Sequence, residues 1–414
     1  MPEHQHMPGM NMPADAPQPE HAASGTSVNP RSAPMDMIHK QAGKWIFMFH
    51  GIAFLTEERQ TGPRGGDKVF APNWFMGTAS HPAGRGTVEF RSMLSLDPAT
   101  ITERRYPLLF QTGETAFGKP LVDAQHPHDF IMELSARYVR PVTESTSLLL
   151  YFAPVGDPAL GPVAFPHRVS AAEIPQATLS HHLQDSTHIA DDVITAAVVH
   201  QFFRIEASGF HGAEPDENRW NIDHGAIDSW SARLSFTPGE NWVGQVSLGR
   251  LTHPEALEPG DIVRSTASIT YNRPLASGNW ASSIIWGRNH KTAEQRNLNS
   301  YLAESVFQFS RSNYVTGRVE LVDKDELFND RPAIRDLLDR TAGPTFRIAA
   351  YTLGYTHDVK LVTWLDTGVG GNFTVYGVPD AIRPYYSNHP AGFWFFLRAR
   401  LKSESHAMHM HHGG

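Results

Sequence analysis

The sequence predicts an all-β fold, an antiparallel transmembrane β-barrel of 12–16 strands with sixteen preferred, lying between two polar tails. Two observations lead to this prediction. Segments of about ten residues alternate apolar and polar side chains, which is typical of strands with one apolar face. The connections between these segments alternate between long and short, as they do in barrels whose two rims differ.

The alternation is regular enough to assign faces. In residues 87–97, Val88 and Phe90 fall on one face, whereas Glu89 and Arg91 fall on the other. The same period of two recurs along the middle of the chain. Sixteen candidate strands follow from it, at 44–55, 70–80, 87–97, 129–139, 146–154, 193–200, 203–211, 229–237, 242–251, 262–272, 279–289, 300–310, 314–323, 346–356, 362–375 and 391–402.

Two places in this series leave an alternative open. The sixth and seventh candidates could also form one bent strand over 193–211, and Arg250 interrupts the alternation of its own strand. The predicted strand count is therefore a range rather than a single number.

The connections predict which way the barrel lies in its membrane. Short connections such as "TPGEN" and "SRSN" alternate with long ones, of which 98–128 and 155–192 are the longest. An even strand count with this alternation is typical of outer-membrane barrels with short periplasmic turns. We therefore expect the protein in the outer membrane of a Gram-negative-type bacterium, with both tails in the periplasm.

A soluble all-β protein is the alternative, but its apolar face would have to lie inside, where few large side chains would leave a thin core. No run of about 18 apolar residues predicts a transmembrane helix. The 414-residue chain has a formal net charge of −8 and no cysteine. We therefore expect no disulfide, no thiolate site and no nucleic-acid partner.

From about residue 40 to residue 402, these strands and loops resemble an outer-membrane porin-like barrel. The resemblance implies that the third long loop, 155–192, folds into the barrel and narrows it. Charged side chains on the inward face would then set selectivity, and several arginines on one wall would favour anionic solutes or create a transverse field. The predicted lumen-lining residues are Glu89, Arg91, Arg233, Arg264, Arg318, Glu320, Arg398 and Arg400.

Histidines are concentrated in two of the long loops. The second loop ends in "DAQHPHDF", and the third contains "FPHRVSA" and "ATLSHHLQDSTHI". If 178–190 forms a short helix, His181, Asp185 and His188 share one face. Imidazole and carboxylate ligands suit divalent transition metals such as Zn²⁺, Cu²⁺ or Ni²⁺. The candidate loop ligands are His126, His128, Asp129, His167, His181, His182, Asp185 and His188.

Two other readings of these loops stay open. Polar side chains on a lumen wall need partners, so the same residues could form a hydrogen-bonded network that anchors the loop. A barrel enzyme would use Ser180, His181 and Asp185 as a relay, although three residues on one short segment do not easily adopt relay geometry. The pattern requires no cofactor.

The tails carry a second pattern. "HQHMPGMNM" and "HAMHMHH" combine thioethers with imidazoles, a ligand set that suits Cu(I), and the imidazoles also hold Cu(II). These segments resemble the Met/His-rich segments of periplasmic and outer-membrane copper-resistance proteins. An engineered tag is the alternative at the C-terminus. The candidate tail ligands are His4, His6, Met7, Met10, Met12, His406, Met408, His409, Met410, His411 and His412.

Three regions are predicted: a disordered Met/His-rich tail over 1–40, a barrel over 41–402 and a His/Met-rich tail over 403–414. We expect a channel or transport component linked to copper or another heavy metal. A plugged structural or adhesive barrel is the alternative. The expected partners are outer-membrane lipid, a small solute or metal ion, and further copies of the chain.

Overall fold

The computed structural model describes residues 23–34, 36–185 and 190–402. Sixteen strands close into one antiparallel barrel, in which each strand pairs with its neighbours in the sequence. The strands are β1 (Trp45–Gln60), β2 (Asn73–Ala83), β3 (Gly86–Leu94), β4 (Ile131–Pro141), β5 (Thr146–Gly156), β6 (Ala190–His200), β7 (Phe203–His211), β8 (Ser229–Phe236), β9 (Trp242–Leu251), β10 (Ile262–Leu275), β11 (Gly278–Lys291), β12 (Arg296–Phe309), β13 (Asn313–Lys324), β14 (Phe346–Val359), β15 (Leu365–Gly377) and β16 (Ala391–Leu401).

The barrel closes where β1 pairs with β16, beginning with Ile52 opposite Arg400. Below this seam, the short strand Ile38–Ala42 folds back on the start of β1 in a hairpin. The short strand Asp67–Phe70 pairs with the other end of β1. With 16 residues, β1 is long enough to hold these short partners as well as its two barrel neighbours.

All sixteen predicted strands are present, and the two open points are resolved. β6 and β7 are separate strands joined by a turn at Gln201 and Phe202, so the single bent strand is wrong. Arg250 lies on the outer face at the end of β9, where its Nε donates to Asp261 Oδ2 at 3.0 Å. This ion pair explains a charged residue on an otherwise apolar face.

The faces of the barrel are inverted relative to those of a soluble protein. Large apolar side chains such as Leu150, Ile284 and Leu353 are more than half exposed on the outer face. Inward positions carry mainly serine, threonine, arginine and glutamate side chains that are almost completely buried. The soluble alternative needs the opposite arrangement and is therefore wrong, whereas an apolar outer face is what lipid contact requires.

The two rims differ as the connection lengths predict. Seven short turns lie at one rim, here called the short-turn rim, and eight loops lie at the other, the long-loop rim. Among the described residues, no helix is both long and apolar enough to span a bilayer. The loops at the long-loop rim that matter below are L2 (95–130), L3 (157–189), L4 (212–228), L5 (252–261), L7 (325–345) and L8 (378–390).

Two segments of the chain lie inside the barrel. Residues 23–34 run through the lumen with most of their side chains buried, and the described part of L3, residues 157–185, crosses the lumen beside them. The position of L3 is the one that the resemblance implied. Residues 23–34 differ from the expectation of disorder through residue 40, since most of them are buried in the lumen. Their partners are wall residues far away in the sequence, and the local composition carries no signal of such contacts.

The inverted faces predict how the barrel responds to charge. Ile284→Arg places a guanidinium on the lipid face near the middle of β11, so we expect a loss of about 2–4 kcal/mol in the free energy of unfolding. Leu361→Arg makes the same kind of change in the β14–β15 turn, outside the apolar band, and should cost about 0–1 kcal/mol. Reversible unfolding in lipid vesicles measures both. Equal losses would contradict the assignment of the faces.

Candidate functional site in the barrel lumen

The N-terminal segment 23–34 is held by charged groups on the wall of the barrel. Arg91 on β3 donates from Nη1 to the carbonyl oxygens of Ala23 and Gly25, the latter at 3.1 Å. In return, the backbone N–H of Gly25 donates to Glu133 Oε2 on β4 at 3.1 Å. One end of the segment is thus fixed by an arginine–carboxylate pair that spans two neighbouring strands.

The same segment also binds the facing part of the wall. Arg204 on β7 donates to the carbonyl oxygen of Thr26, and Arg233 Nη2 on β8 donates to Thr26 Oγ1 at 2.9 Å. Farther along, Ser32 exchanges hydrogen bonds with Asn272 on β10. The contacts at both sides of the barrel hold 23–34 across the lumen.

The two inserted segments also touch each other. Gly25 has a φ of +58°, and a Cβ atom there would lie 2.7 Å from Asp157 Cβ, so this approach requires glycine. Asn29 Nδ2 donates to the carbonyl oxygen of His167 in L3 at 3.1 Å. The N-terminal segment and L3 therefore form one filling of the lumen.

Loop L3 is anchored through a buried carboxylate shared by two arginines. Glu304 on β12 accepts from Arg168 Nε at 2.6 Å and from Arg318 Nε at 3.0 Å. Ser170 Oγ donates to the same carboxylate at 2.8 Å. Arg318 also donates to the carbonyl oxygen of Gln176 at 3.1 Å, so one wall arginine fixes both the charge and the backbone of the loop.

Further wall contacts hold the remainder of L3. Arg398 on β16 pairs with Glu173. Ser180 donates from both its backbone nitrogen and its hydroxyl to Glu320 Oε1 on β13, at 3.2 and 2.9 Å.

Most of the predicted lumen-lining residues contact the inserted segments, whereas Glu89 pairs with Arg91 and Arg137 on the wall itself. Seven of the eight are at most 4 % exposed, and Arg400 is partly buried beside Glu173 and Asp36. Their charges are paired inside the protein rather than offered to a passing solute. That these residues set selectivity, by favouring anionic solutes or by creating a transverse field, stays a prediction; in this structure several of them contact 23–34 and L3 instead.

Three of the predicted histidine ligands come together where L2 meets L3. One ring nitrogen of each of His126, His181 and His182 lies within 4.8 Å of those of the other two, and all three residues are buried. His126 Nδ1 donates to the carbonyl oxygen of Pro127 at 3.0 Å, and His181 Nδ1 donates to that of Thr178 at 2.7 Å. Carbonyl contacts of this kind orient the ring. His126 Nε2 also lies 3.0 Å from Glu114 Oε1, so a metal ion bound there would share its ligand with this carboxylate.

Burial keeps these imidazoles in the form that binds metals. The pKa values of His126 and His181 are lowered well below the usual range, because burial would strip water from the imidazolium. Gly113 makes room for His182: its φ is +111°, and a Cβ there would lie 2.3 Å from the ring. His126 and His181 as neutral imidazoles, with His182 beside them, could hold a borderline divalent cation.

Carboxylates continue this cluster towards L4 and L5. His182, Glu214 and Glu255 also have ligand atoms within 4.8 Å of one another. Burial and the neighbouring carboxylate raise the pKa of Glu214 well above its usual range, and burial raises that of Glu255 to about 7. A third group of possible ligands consists of Glu258, Asp325 and Glu326. This group is already paired with the ammonium of Lys291, whose Nζ lies 2.9 Å from Asp325 Oδ2.

The other predicted loop ligands have separate surroundings. His128 Nδ1 lies 2.8 Å from Asp97 Oδ2, and Asp129 faces Arg219 at 3.4 Å. His167 stacks edge-on against Trp74, with ring centroids 4.2 Å apart. These residues do not join the three-histidine cluster.

Among the described residues of 178–190, His181–Gln184 is helical and Asp185 is extended, with a φ of −82° and a ψ of 167°, so the condition that would place His181 and Asp185 on one helical face is not met. Arg264 Nη1 on β10 binds the carbonyl oxygen of Asp185 at 2.9 Å, which draws the chain away from the helix. His188 lies outside the described residues, as do all the predicted tail ligands.

The candidate relay is not assembled by these contacts. Ser180 Oγ is hydrogen-bonded to Glu320 and Gln184, at 2.9 and 3.1 Å, and His181 Nδ1 is directed to a backbone carbonyl. Asp185 Oδ1 lies 3.6 Å from Arg168 Nη1. The base therefore does not stand between the hydroxyl and the acid, which a relay requires.

A cavity of about 320 Å³ remains between the inserted segments and the wall. It is bordered by 23–34, by L3 and by the inward side chains of β1 and β2, among them His50 and Trp74. No motif in the sequence points to these two residues, because each is an isolated member of a strand.

Comparison with known proteins gives the fold. No protein-family model matches the chain, and no curated protein matches it. Among solved structures, the chain is similar to an anion-selective porin from Comamonas acidovorans, with a TM-score of 0.52, 9% identity and coverage of 86% of this chain and 100% of that one. It is also similar to OprB of Pseudomonas putida, with a TM-score of 0.53, 10% identity and coverage of 86% and 94%.

A third solved structure, Salmonella typhi OmpF in complex with daunomycin, has a TM-score of 0.50 and 8% identity, and the match covers 87% of this chain and 99% of that one. At such low identities the likeness shows the fold alone. The fold is that of a porin-like outer-membrane β-barrel.

The shared carboxylate of Glu304 predicts a large effect on L3. Glu304→Gln removes the carboxylate that Arg168 and Arg318 share and leaves Arg168 only the more distant Asp185, so we expect a loss of about 3–5 kcal/mol in the free energy of unfolding. Hydrogen exchange over 165–176 should become faster. Glu57→Gln, in a surface pair with Arg59, should leave both quantities essentially unchanged. An unchanged L3 exchange rate in Glu304→Gln would show that this network does not hold the loop.

Proposed function

We propose that the protein is an outer-membrane channel that is closed at rest by two of its own segments, 23–34 and L3. The observation that carries this proposal is the set of hydrogen bonds between wall arginines and both segments. These hydrogen bonds are non-covalent, and 23–34 is a short segment that ends at one rim, so the segment can leave without unfolding the barrel. The apolar outer face of the barrel would lie against lipid, with the long loops outside the cell.

A plugged structural barrel is the competing function. It has the same fold and the same contacts, but its interior would never open. The porin-like fold favours transport, since this fold serves to enclose a lumen, and the segment 23–34 is a separate piece of chain rather than part of the wall.

We further propose that the transported or sensed species is a transition-metal ion. The three-histidine cluster supports this proposal from the described residues, because it offers neutral imidazoles to a divalent ion such as Zn²⁺ or Cu²⁺. The Met/His content of the tails supports copper in particular. The N-terminal tail leads directly into residue 23, so metal capture by the tail would act on the segment that fills the lumen.

Removal of the inserted segment predicts an open pore. In planar bilayers, the full-length protein should conduct poorly, and a variant lacking residues 1–34 should conduct several-fold better, because the wall loses one of its two fillings. A variant lacking only 1–22 is the matched control and should conduct like the full-length protein. If deletion of 1–34 adds no conductance at any voltage, the protein is a plugged barrel and the channel proposal is wrong.

Metal binding should divide between the tails and the lumen. In equilibrium dialysis, loss of 1–22 and 403–414 should remove several equivalents of copper, because the tail thioethers and imidazoles are gone. In that shortened protein, His181→Ala should abolish the remaining tight binding of Zn²⁺, whereas His253→Ala, an exposed loop histidine, should not. Equal copper binding with and without the tails would exclude them as ligands.

A further inference from the structure

The inward face of β1 to β4 carries methionines that the lumen of a polar-lined barrel does not require. The barrel strands contain four methionines, Met48, Met76, Met93 and Met132, one on each of these four strands. All four face inwards and are at most 4% exposed. On strand β8, by contrast, the buried inward positions are held by three serines and an arginine.

The strand register brings three of these methionines into line with a histidine. His50 on β1 lies opposite Met76, and Met76 lies opposite Met93. A register shift between β3 and β4 follows Met93, and there Met132 packs in one cluster with Met76 and Met93. A bulge of this kind re-aims a side chain, which here is a thioether. His50, Met76, Met93 and Met132 are called the methionine row below.

The contact between the first two members is directed through their ligand atoms. His50 Nε2 lies 3.1 Å from Met76 Sδ. Trp74 packs edge-on against the His50 ring, with centroids 5.0 Å apart, and so limits its rotation. His50 and Trp74 border the cavity of about 320 Å³, through which an ion could reach the row.

We propose that the methionine row binds a soft monovalent cation, of which Cu(I) is the biological example, through His50 Nε2 and the thioether sulfurs of Met76 and Met93. Thioether and imidazole together favour Cu(I) over hard cations. The role of this ion as cargo rests on the proposed transport function, whereas its binding at the row does not.

Plain packing is the competing explanation. Methionine fills irregular gaps, and the row also contacts the buried side chain of Val155. Packing alone would be served equally well by leucine at Met93, and a weak N–H···S hydrogen bond from His50 would account for the sulfur at Met76. The two explanations therefore differ in what happens when sulfur is removed at constant volume.

The test uses Ag(I), which is a redox-stable probe for a Cu(I) site, and the full-length protein. By equilibrium dialysis, the double variant Met76→Leu/Met93→Leu should bind one equivalent of Ag(I) fewer than the wild type, because two thioether ligands are lost. Both proteins keep the same tails, so binding by the tails does not affect the difference. These swaps conserve volume, so the barrel should fold normally. His50→Gln should also lose the equivalent, and His389→Gln, an exposed histidine of L8, should keep it.

Anomalous diffraction from Ag(I)-soaked crystals gives an independent readout. We expect a peak between His50 Nε2 and Met76 Sδ in the wild type and none there in the double variant. Equal stoichiometry in both proteins together with no peak would overturn the proposal and leave the row as packing. Conductance after removal of 1–34 is measured without metal, so failure of the methionine row and failure of the channel proposal are distinguishable.

Discussion

The structure depends on charge-assisted hydrogen bonds between the barrel wall and the two segments inside it. A buried guanidinium is costly unless it is paired and its N–H groups are accepted. Arg91 and Arg204 use backbone carbonyls of 23–34 as acceptors, and Arg318 uses both Glu304 and a carbonyl of L3. The polar groups on the inner face of the barrel therefore find their hydrogen-bond partners within the protein itself. Any opening of the lumen must supply water or a solute to the same arginines.

Much of the barrel could be predicted because its signals are local. The period of two and the alternation of connection lengths are read within a few residues, and they identified all sixteen strands. The inserted segment 23–34 could not be found in this way. Its wall partners lie 66 to 240 residues away in the sequence, and a short segment rich in serine, alanine and proline has no periodicity that records them. The position of L3 came from the resemblance to porins rather than from its own residues.

The site was partly predictable for the same reason. Composition singled out His126, His181 and His182 within two loops, but only the packing of L2 on L3 selects these three from the larger set. The helix that was to join His181 to Asp185 fails because Arg264 binds the backbone at its end. The methionine row was missed although Met93 shares the polar face of its strand with Glu89 and Arg91. Its alignment with Met76 and His50 needs the strand register, which the sequence pattern leaves open.

Wall arginines hold 23–34 inside the lumen, and because the chain has no cysteine, a single introduced thiol can report whether this segment is accessible. A single Ser24→Cys, at a position that is 2% exposed, should react slowly with a membrane-impermeant thiol reagent, whereas Lys40→Cys, at an exposed position, should react fast. Adding Arg91→Gln and Arg204→Gln should bring the rate at position 24 close to that at position 40. Fast labelling at position 24 with both arginines intact would contradict the account.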